Sequence, residues 1–289
     1  MASRDQRVIC LGNGNSRKGL DLDKLSLYFT MYGCNALYRD WTPDVLVAVD
    51  HGIMHEIYHS GFGYSTPCYF RDWTKLPGES HDSLIYSGLT KDELDKAKEW
   101  DVVRTNKRTT EEEFVMHGAQ IKGIINVLTR TKGEKFIKNK RVNHASLCIS
   151  WIKPDDKVKD LKEYMCKPDG ISHDYGWSAG PTSGFIATKR EKPKEIYMVG
   201  HDLYSGNNKV NNLYAGSQYY VHEEHSPTPC VNWIRQWREL MTWNPDIMFY
   251  KVNEFNDGRD KMNTPIEEWN EIKNLKYISR NALDNMCQM

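Results

Sequence analysis

The sequence lacks the short motifs that mark the commonest nucleotide-binding and hydrolytic sites. It has no Gly-Lys-Ser/Thr of a P-loop, no G-x-G-x-x-G fingerprint and no G-x-S-x-G nucleophile elbow. No C-x-x-C pair occurs, and the seven cysteines are odd in number. Free thiols are typical of reducing compartments, so the cysteine content predicts a cytoplasmic protein without a disulfide framework.

Net charge and long apolar runs are lacking as well. Lysine plus arginine number 39 and so do aspartate plus glutamate, so the whole chain gives no indication of a polyanionic partner. No apolar run approaches the roughly 20 residues that a membrane helix needs. The first ten residues lack the apolar core of a signal peptide. We therefore expect neither a membrane span nor secretion.

The sequence does contain a series of short apolar runs separated by helical patterns. The runs cover residues 7–12, 27–33, 44–50, 68–70, 145–150, 195–200 and 247–252. Several are continuously apolar, as strands buried on both faces of a parallel sheet are. This alternation predicts an α/β fold, with a Rossmann-like, mainly parallel sheet flanked by helices. Because no low-complexity linker interrupts it, the chain is expected to form a single domain, residues 1–289.

Three helices are predicted from their boundary residues. The capping boxes T-x-x-E at residues 90–93 and 110–113 each begin a helix. The second box opens an apolar-periodic stretch that runs to about residue 131. A third helix is expected over residues 231–243, because a proline precedes it and another follows it.

Two segments stand apart from this alternation. Residues 130–167 hold eleven Lys/Arg against five Asp/Glu, a local excess of six positive charges. Such a basic insertion is either a solvated face or a footprint for a phosphate backbone, with Lys138, Lys140 and Arg141 as its DNA-binding residues. Residues 203–230 are rich in polar residues and contain four tyrosines. Because they follow a predicted strand, we expect them to form a lid over a ligand at that edge of the sheet.

Two patterns are compatible with a metal ion, but neither is complete. His51, His55 and His59 are four residues apart, so a helix would stack them on one face, as in zinc sites. No fourth ligand is evident nearby, and an ordinary helix face is the expected role. Asp21 and Asp23 resemble an acidic pair that holds Mg²⁺, but carboxylates are also favoured in the first turn of a helix. Helix capping is therefore expected, and no metal is predicted.

The turn Gly-Asn-Gly-Asn-Ser (residues 12–16) ends the first apolar run. Glycine allows a sharp turn and a close approach by a ligand. Backbone N–H groups at the start of a following helix would suit an anion. On its own the turn is equally compatible with a tight connection that binds nothing.

Four pieces of the sequence, taken in order, resemble the bacterial CMP-sialic-acid sialyltransferases of glycosyltransferase family 42. The pieces are GNGNS (12–16), GCNALY (33–38), TSG (182–184) followed by KEIYMVGHDLY (194–204), and EHSPTP (224–229). In that family a G-N-G-P-S loop follows the first strand and a C-N pair follows the second. A T-S-G turn, a strand that ends in G-x-D-x-Y, a lid with tyrosines and a His-Ser at the end of the lid complete the set.

The resemblance implies a metal-independent transferase that needs no cofactor beyond its nucleotide-sugar donor, a CMP-sugar. His225 would be the general base, and Tyr204 and Tyr214 would hydrogen-bond the departing phosphate. The residues implied in donor binding are Gly12, Asn13, Gly14, Ser16, Asn35, Asp50, Thr182, Ser183 and Gly184. The turn would then need no lysine, because its backbone and amide groups would contact a single nucleotide phosphate.

Three positions depart from the family's pattern. Asn15 stands in place of a proline, Asp50 in place of an asparagine, and Gly180 in place of an arginine. Because the resemblance places these positions against the sugar, it implies a CMP-linked sugar other than sialic acid. Together with the basic insertion, this favours an arabinosyl-type transfer to 5-hydroxymethylcytosine in phage DNA, in the host cytoplasm.

Three alternatives stay open from the sequence. The first is a sialyltransferase-like enzyme that acts on a surface glycan. The second is a pyrophosphokinase with a G-x-G-x-S loop, which would require Mg²⁺. The third is a nucleotide-binding module without turnover, which would have no use for His225 or for the lid tyrosines.

Overall fold

The computed structural model describes residues 3–71, 73–77, 102–105, 113–117, 149–151, 177–205, 207–254 and 265–287. These residues belong to two compact units. The first unit comprises the described residues up to Ala48 and from Trp177 onward, and the second comprises those from Val49 to Trp151.

The described elements are numbered in chain order. The strands are β1 Arg7–Leu11, β2 Thr30–Cys34, β3 Val45–Ala48, β4 Cys68–Arg71, β5 Trp73–Pro77, β6 Val102–Thr105, β7 Glu113–His117, β8 Ile149–Trp151, β9 Glu195–Val199, β10 Met248–Asn253 and β11 Leu275–Ser279. The helices are α1 Leu22–Ser26, α2 His51–Ser60, α3 Ala179–Arg190, α4 Val231–Trp243 and α5 Arg280–Asn285.

The first unit is built on a sheet of six parallel strands in the order β3-β2-β1-β9-β10-β11. Every residue of β1, β2 and β3 is buried, as expected of strands covered on both faces. From β1 the chain proceeds to β2 and β3 on one side, and β9 to β11 extend the sheet on the other. This is the strand order of a doubly wound Rossmann-like fold, and the predicted fold class is confirmed.

Helices pack on this sheet. α3 contacts β1, β2 and β3, and α4 packs against α3. A Cβ atom built on Gly184 of α3 would lie 2.7 Å from both Trp237 and Leu240 of α4, so the close approach of the two helices requires a glycine there. The predicted helix over residues 231–243 is confirmed by α4. No helix in the described ranges is both long enough and apolar enough to cross a membrane.

The second unit contains α2 and two antiparallel arrangements. β4 pairs with β8, and β5, β7 and β6 form a three-stranded sheet. The helix predicted from residue 110 is wrong for residues 113–117, which form β7. Pairing with a strand on each side satisfies the backbone of β7, and this overrides the local capping pattern. Residues 90–93 and 118–131 lie outside the described residues.

Two further predictions concern segments of the chain rather than single elements. Of the basic insertion, residues 130–167, the structure describes only β8, so Lys138, Lys140 and Arg141 lie outside the described residues. The lid segment, residues 203–230, is described except for residue 206. It belongs to the first unit and runs from the end of β9 to the start of α4.

Candidate functional site

The carboxyl ends of β1 and β9 form the switch point of the parallel sheet, where the connections from adjacent strands run in opposite directions. Ligands of doubly wound folds bind in the crevice outside this point. The turn of residues 12–16 follows β1, Asn35 follows β2, and residues 200–204 follow β9. Three of the predicted motifs therefore lie at the edge of the sheet where a ligand is expected.

The glycines of the turn allow two connections to touch. Gly12 N donates to Val199 O at 2.7 Å, and Gly14 N donates to Gly200 O at 2.9 Å. A Cβ on Gly12 would lie 2.4 Å from Gly200 O, and one on Gly14 would lie 2.4 Å from Asp202 Oδ2. Both glycines are therefore required by the packing of the β1 turn against the β9 connection, independently of any ligand.

Asp202 occupies the place at Ser16 where the resemblance implies a phosphate. Ser16 N donates to Asp202 Oδ2 at 3.0 Å, and the Ser16 hydroxyl donates to Asp202 Oδ1. The carboxylate thus lies at the start of a short 3₁₀ helix, Asn15–Arg17, where an anion is favoured. The Ser16 N–H group is therefore already occupied, and a phosphate bound nearby would need hydrogen-bond donors from other residues.

Two motif residues keep a buried polar atom without a partner. Asn13 Nδ2 donates to Cys34 O at 3.2 Å, but Asn13 Oδ1 has no hydrogen-bond partner within the described ranges. The same holds for the hydroxyl of Thr182, which lies in the first turns of α3 and is 2 % exposed. A buried polar group left unpaired costs about 1–3 kcal/mol, so each is a candidate contact for a ligand.

Ser183 lies beside the end of β2. Its hydroxyl donates to Gly180 O at 2.6 Å and lies near the thiols of Cys10 and Cys34. Burial raises the pKa of Cys34 to about 12, so this thiol is neutral and unreactive. Gly180 itself must be small, because a Cβ there would lie 2.5 Å from the ring of His201. The arginine that the family carries at that position has no room here.

A buried cluster of ionisable residues lies beneath the crevice, and the sequence did not single it out. His201 Nε2 lies 3.1 Å from Cys10 O and donates to it. Burial, and next the charge of Lys251, lower the pKa of His201 to about 3, so its ring is neutral. Lys251, on β10, is 2 % exposed and donates to Asn253 Oδ1 at 2.8 Å. Burial lowers the pKa of Lys251 to about 8, while the charge of Asp202 opposes that shift.

Lys251 gives the stability of the protein a measurable pH dependence. Between pH 8 and 10.5 the unfolded chain holds a proton on this lysine that the folded protein has released. The contribution of Lys251 to the free energy of unfolding should therefore rise with pH across this window, by on the order of 3 kcal/mol. The Lys251→Met variant lacks this contribution, so the difference in free energy of unfolding between wild type and the variant should change by that amount. Urea unfolding of both proteins at pH 7.5, 9 and 10.5 measures this difference. The control is Lys194→Met, which removes an exposed lysine. Parallel curves for wild type and Lys251→Met would contradict the assignment.

Tyr214 is buried in the lid segment and connects two charged residues. Its hydroxyl donates to Asp40 Oδ2 at 2.7 Å and accepts from Arg17 Nη2 at 3.1 Å. Burial, and next the hydrogen bond to Asp40, raise the pKa of Tyr214 to about 12, so the phenol is neutral. Any contact between this hydroxyl and a departing phosphate would have to replace one of these two bonds.

Backbone and side-chain hydrogen bonds hold the lid segment against the ends of β1 and β2. Leu213 N donates to Asn13 O at 2.8 Å, and Asn15 N donates to Asn211 Oδ1 at 2.8 Å. Residues 217–220 lie against the connection after β2. There Ala36 N donates to the Tyr220 hydroxyl, and Arg39 donates to the Ser217 hydroxyl and to Gln218 O. Asn35 has a φ of +49°, a conformation that asparagine tolerates better than most residues.

Tyr204 follows an unusual backbone turn. Leu203 has a φ of +62°, and Tyr204 N donates to Asp202 O at 2.7 Å across it. Strained turns of this kind persist only where the surroundings hold them, and they cluster at functional sites. Burial raises the pKa of Tyr204, and the charge of Glu268 raises it further. The charge that acts on this phenol is therefore negative.

His225 lies on the exposed end of the lid segment. Its carbonyl oxygen accepts from Val210 N at 3.0 Å, and an ion pair of 2.6 Å between Lys209 and Glu224 lies in the same stretch. The side chain of His225 is exposed, as is that of His222. The structure therefore leaves the imidazole open to solvent and to an acceptor from outside.

Asp50 and the three histidines belong to the second unit. Asp50 is exposed and directly precedes α2 in the second unit. The helix predicted around His51, His55 and His59 is confirmed by α2. His55-Glu56-x-x-His59 also has the H-E-x-x-H spacing of zinc proteases, a match that the sequence reasoning overlooked.

Among the side chains that the structure describes, which do not include those of His51, His55 and His59, no three of His, Cys, Asp or Glu come together to hold a metal ion. Asp21 takes the role of helix cap that was expected of it, because its Oδ1 accepts from Lys24 N at 2.9 Å. The neighbouring Asp23 accepts from the indole of Trp41 at 2.8 Å.

Comparison of the chain with protein families, with curated proteins and with solved structures gives no match.

Proposed function

We propose that the protein is a metal-independent glycosyltransferase that moves a sugar from a CMP-linked donor to an acceptor hydroxyl. The observation that carries the proposal is the pair of buried polar atoms, on Asn13 and Thr182, that have no partner among the residues the structure describes. Both belong to motifs that the family resemblance assigns to the nucleotide, and Asn13 lies at the switch point of the sheet. A bound cytidine nucleotide would supply the missing partners.

The reaction is an attack of the acceptor oxygen on the anomeric carbon of the donor sugar. The bond between that carbon and the phosphate oxygen breaks, and CMP leaves with the electron pair. The acceptor proton passes to His225, whose exposed imidazole can meet an acceptor that arrives from solvent. Hydroxyl donors aimed at the phosphate would stabilise its developing charge, as in an oxyanion hole.

Tyr214 fits that donor role only through an exchange of partners. Its hydroxyl donates to Asp40 at 2.7 Å, and it would donate to a phosphate oxygen instead when the nucleotide binds. Tyr204 is half-buried at the start of the lid segment and is the second donor that the resemblance implies.

The acceptor that we propose is 5-hydroxymethylcytosine in phage DNA. The positive excess of residues 130–167 supports it, since a local cluster of lysine and arginine suits a phosphate backbone. An enzyme that modifies a base in a duplex must also expose that base, and backbone contacts would hold the DNA meanwhile.

Release of CMP tests the proposal. The protein would be incubated in EDTA with CMP-N-acetylneuraminate or CMP-linked pentoses, and with a duplex that contains 5-hydroxymethylcytosine. A duplex of the same sequence with cytosine is the matched control. We expect CMP release in step with a gain in mass of the hydroxymethylated strand only. A reaction that requires Mg²⁺, or a donor panel that yields no CMP, would reject the proposal.

A further inference from the structure

Arg17 is a buried arginine at the crevice, and among the described residues its guanidinium has a single side-chain acceptor. The residue is 6 % exposed, and its Nε atom is buried without a partner in the described part of the chain. A guanidinium has five N–H donors. Within the described residues the only side chain that accepts from it is Tyr214, at 3.1 Å from Nη2. An unpaired donor on a buried guanidinium is a candidate contact for a ligand where the residue lies at the ligand-binding edge of the sheet.

The position of Arg17 matches the place of a ligand in this fold. It follows Ser16 directly, and a Cβ on Gly200 would lie 3.1 Å from the Arg17 Cβ. Its side chain reaches the ring of Tyr214, whose centroid lies 5.9 Å from the guanidinium carbon. Burial raises the pKa of Cys34 at the end of β2, and the charge of Arg17 partly opposes that shift. Arg17 therefore lies between the connections that follow β1, β2 and β9.

The buried charges at this edge of the sheet favour an anion. Among the described residues there, Arg17 and Lys251 are buried cations and Asp202 is a buried anion. Asp202 is already bound to Ser16 and interacts with Lys251, so among the described residues Arg17 is the buried cation at this edge without an ion-pair partner. Asp40 is exposed and accepts from the Tyr214 hydroxyl, which in turn accepts from Arg17. The planar fork of a guanidinium suits two oxygens of one phosphate.

We propose that the Arg17 guanidinium binds a phosphate group in the crevice, and that a phosphate oxygen takes the place of the Tyr214 hydroxyl as its acceptor. That the phosphate belongs to a cytidine nucleotide rests on the proposed function. Release from Arg17 leaves the Tyr214 hydroxyl free to rotate and donate to the same phosphate. Phosphate binding and the seating of the lid segment are thereby coupled through one tyrosine.

Arg7 provides a matched control for Arg17. It is 8 % exposed and its Nε is also buried without a partner in the described residues. However, Arg7 is the first residue of β1, and its guanidinium lies over the ring of Phe29. It is therefore at the amino edge of the sheet, opposite the carboxyl edge where Arg17 lies. The variants Arg17→Gln and Arg7→Gln remove the same charge from two equally buried positions.

Calorimetric titration with CMP, cytidine and inorganic phosphate tests the inference. We expect Arg17→Gln to bind CMP about 10- to 100-fold more weakly than wild type while it binds cytidine equally well. Arg7→Gln should bind both as wild type does. Arg17→Lys keeps the positive charge but lacks the planar guanidinium, so its loss of CMP affinity should be intermediate. This variant replaces Arg17→Gln in the test if Arg17→Gln fails to fold. Unchanged CMP affinity in the Arg17 variants, or an equal loss of cytidine, would overturn the inference.

The same titrations separate this inference from the proposed function. If wild type binds CMP and the Arg17 variants bind it equally well, the role of Arg17 is overturned and the proposed function stands. If wild type prefers another nucleotide, and Arg17→Gln weakens that one and inorganic phosphate, the phosphate site stands and the cytidine assignment falls. If wild type binds no phosphate compound, both are overturned.

Discussion

Replacement of His225 by alanine is expected to lower kcat by roughly 10²- to 10⁴-fold, the usual contribution of a general base. Its imidazole is exposed at the end of the lid segment, where it can meet an acceptor hydroxyl without contact to the buried nucleotide side. The affinity for CMP should therefore be nearly unchanged. Single-turnover rates and CMP titrations of the variant measure the two effects separately.

His222 is the control for this experiment. It lies three residues earlier on the same exposed segment, and its ring accepts only a long contact of 3.4 Å from Glu224 N. His222→Ala should therefore turn over at the wild-type rate. Near-normal turnover in His225→Ala, or an equal loss in both variants, would refute the role of His225 as the base.

Binding to duplex DNA is expected to weaken steeply with salt. Each phosphate that a protein neutralises adds about 0.9 to the slope of log K against log salt concentration. If Lys138, Lys140 and Arg141 each contact one phosphate, they account for a slope of about 2.7. Their part of the affinity then falls roughly 40-fold between 50 and 200 mM salt. Fluorescence anisotropy of a labelled duplex across that range measures the slope.

The triple variant Lys138→Gln, Lys140→Gln, Arg141→Gln should lose that part of the slope. A matched triple variant at the exposed residues Lys192, Lys194 and Lys273 removes the same charge from the first unit. It should keep the wild-type slope. If wild type has no affinity for DNA at low salt, or if both triple variants behave alike, the DNA acceptor is rejected in favour of a glycan.

The strands of the sheet could be predicted from sequence because a strand buried on both faces consists of consecutive apolar residues. Apart from the first residue of β1 and of β9, the strands β1, β3 and β9 are continuous apolar runs, as strands buried on both faces are. β11 was missed because its residues Leu275–Ser279 are only half-buried and mix polar with apolar types. Residues 113–117 were assigned to a helix because a capping box is local, whereas the pairing of β7 depends on residues far along the chain.

The candidate site could be located from sequence but not understood from it. The turn of residues 12–16 was placed correctly at a strand end, yet the reason for its glycines lies in Gly200 and Asp202. Ser16 and Asp202 are 186 residues apart, and no local pattern relates them. Lys251 was counted within an apolar run, and Arg17 was not singled out. Burial changes the chemistry of both side chains, and only the fold determines their burial.

Calorimetric titration of the wild-type protein with CMP, UDP and ADP in EDTA tests the central claim most directly. We predict that CMP binds without a metal ion, and that at 100 times its Kd it raises the free energy of unfolding by about 2.7 kcal/mol. UDP and ADP at the same concentration should have little effect. A protein that binds UDP or ADP in preference to CMP, or that binds CMP only when Mg²⁺ is restored, would contradict the account.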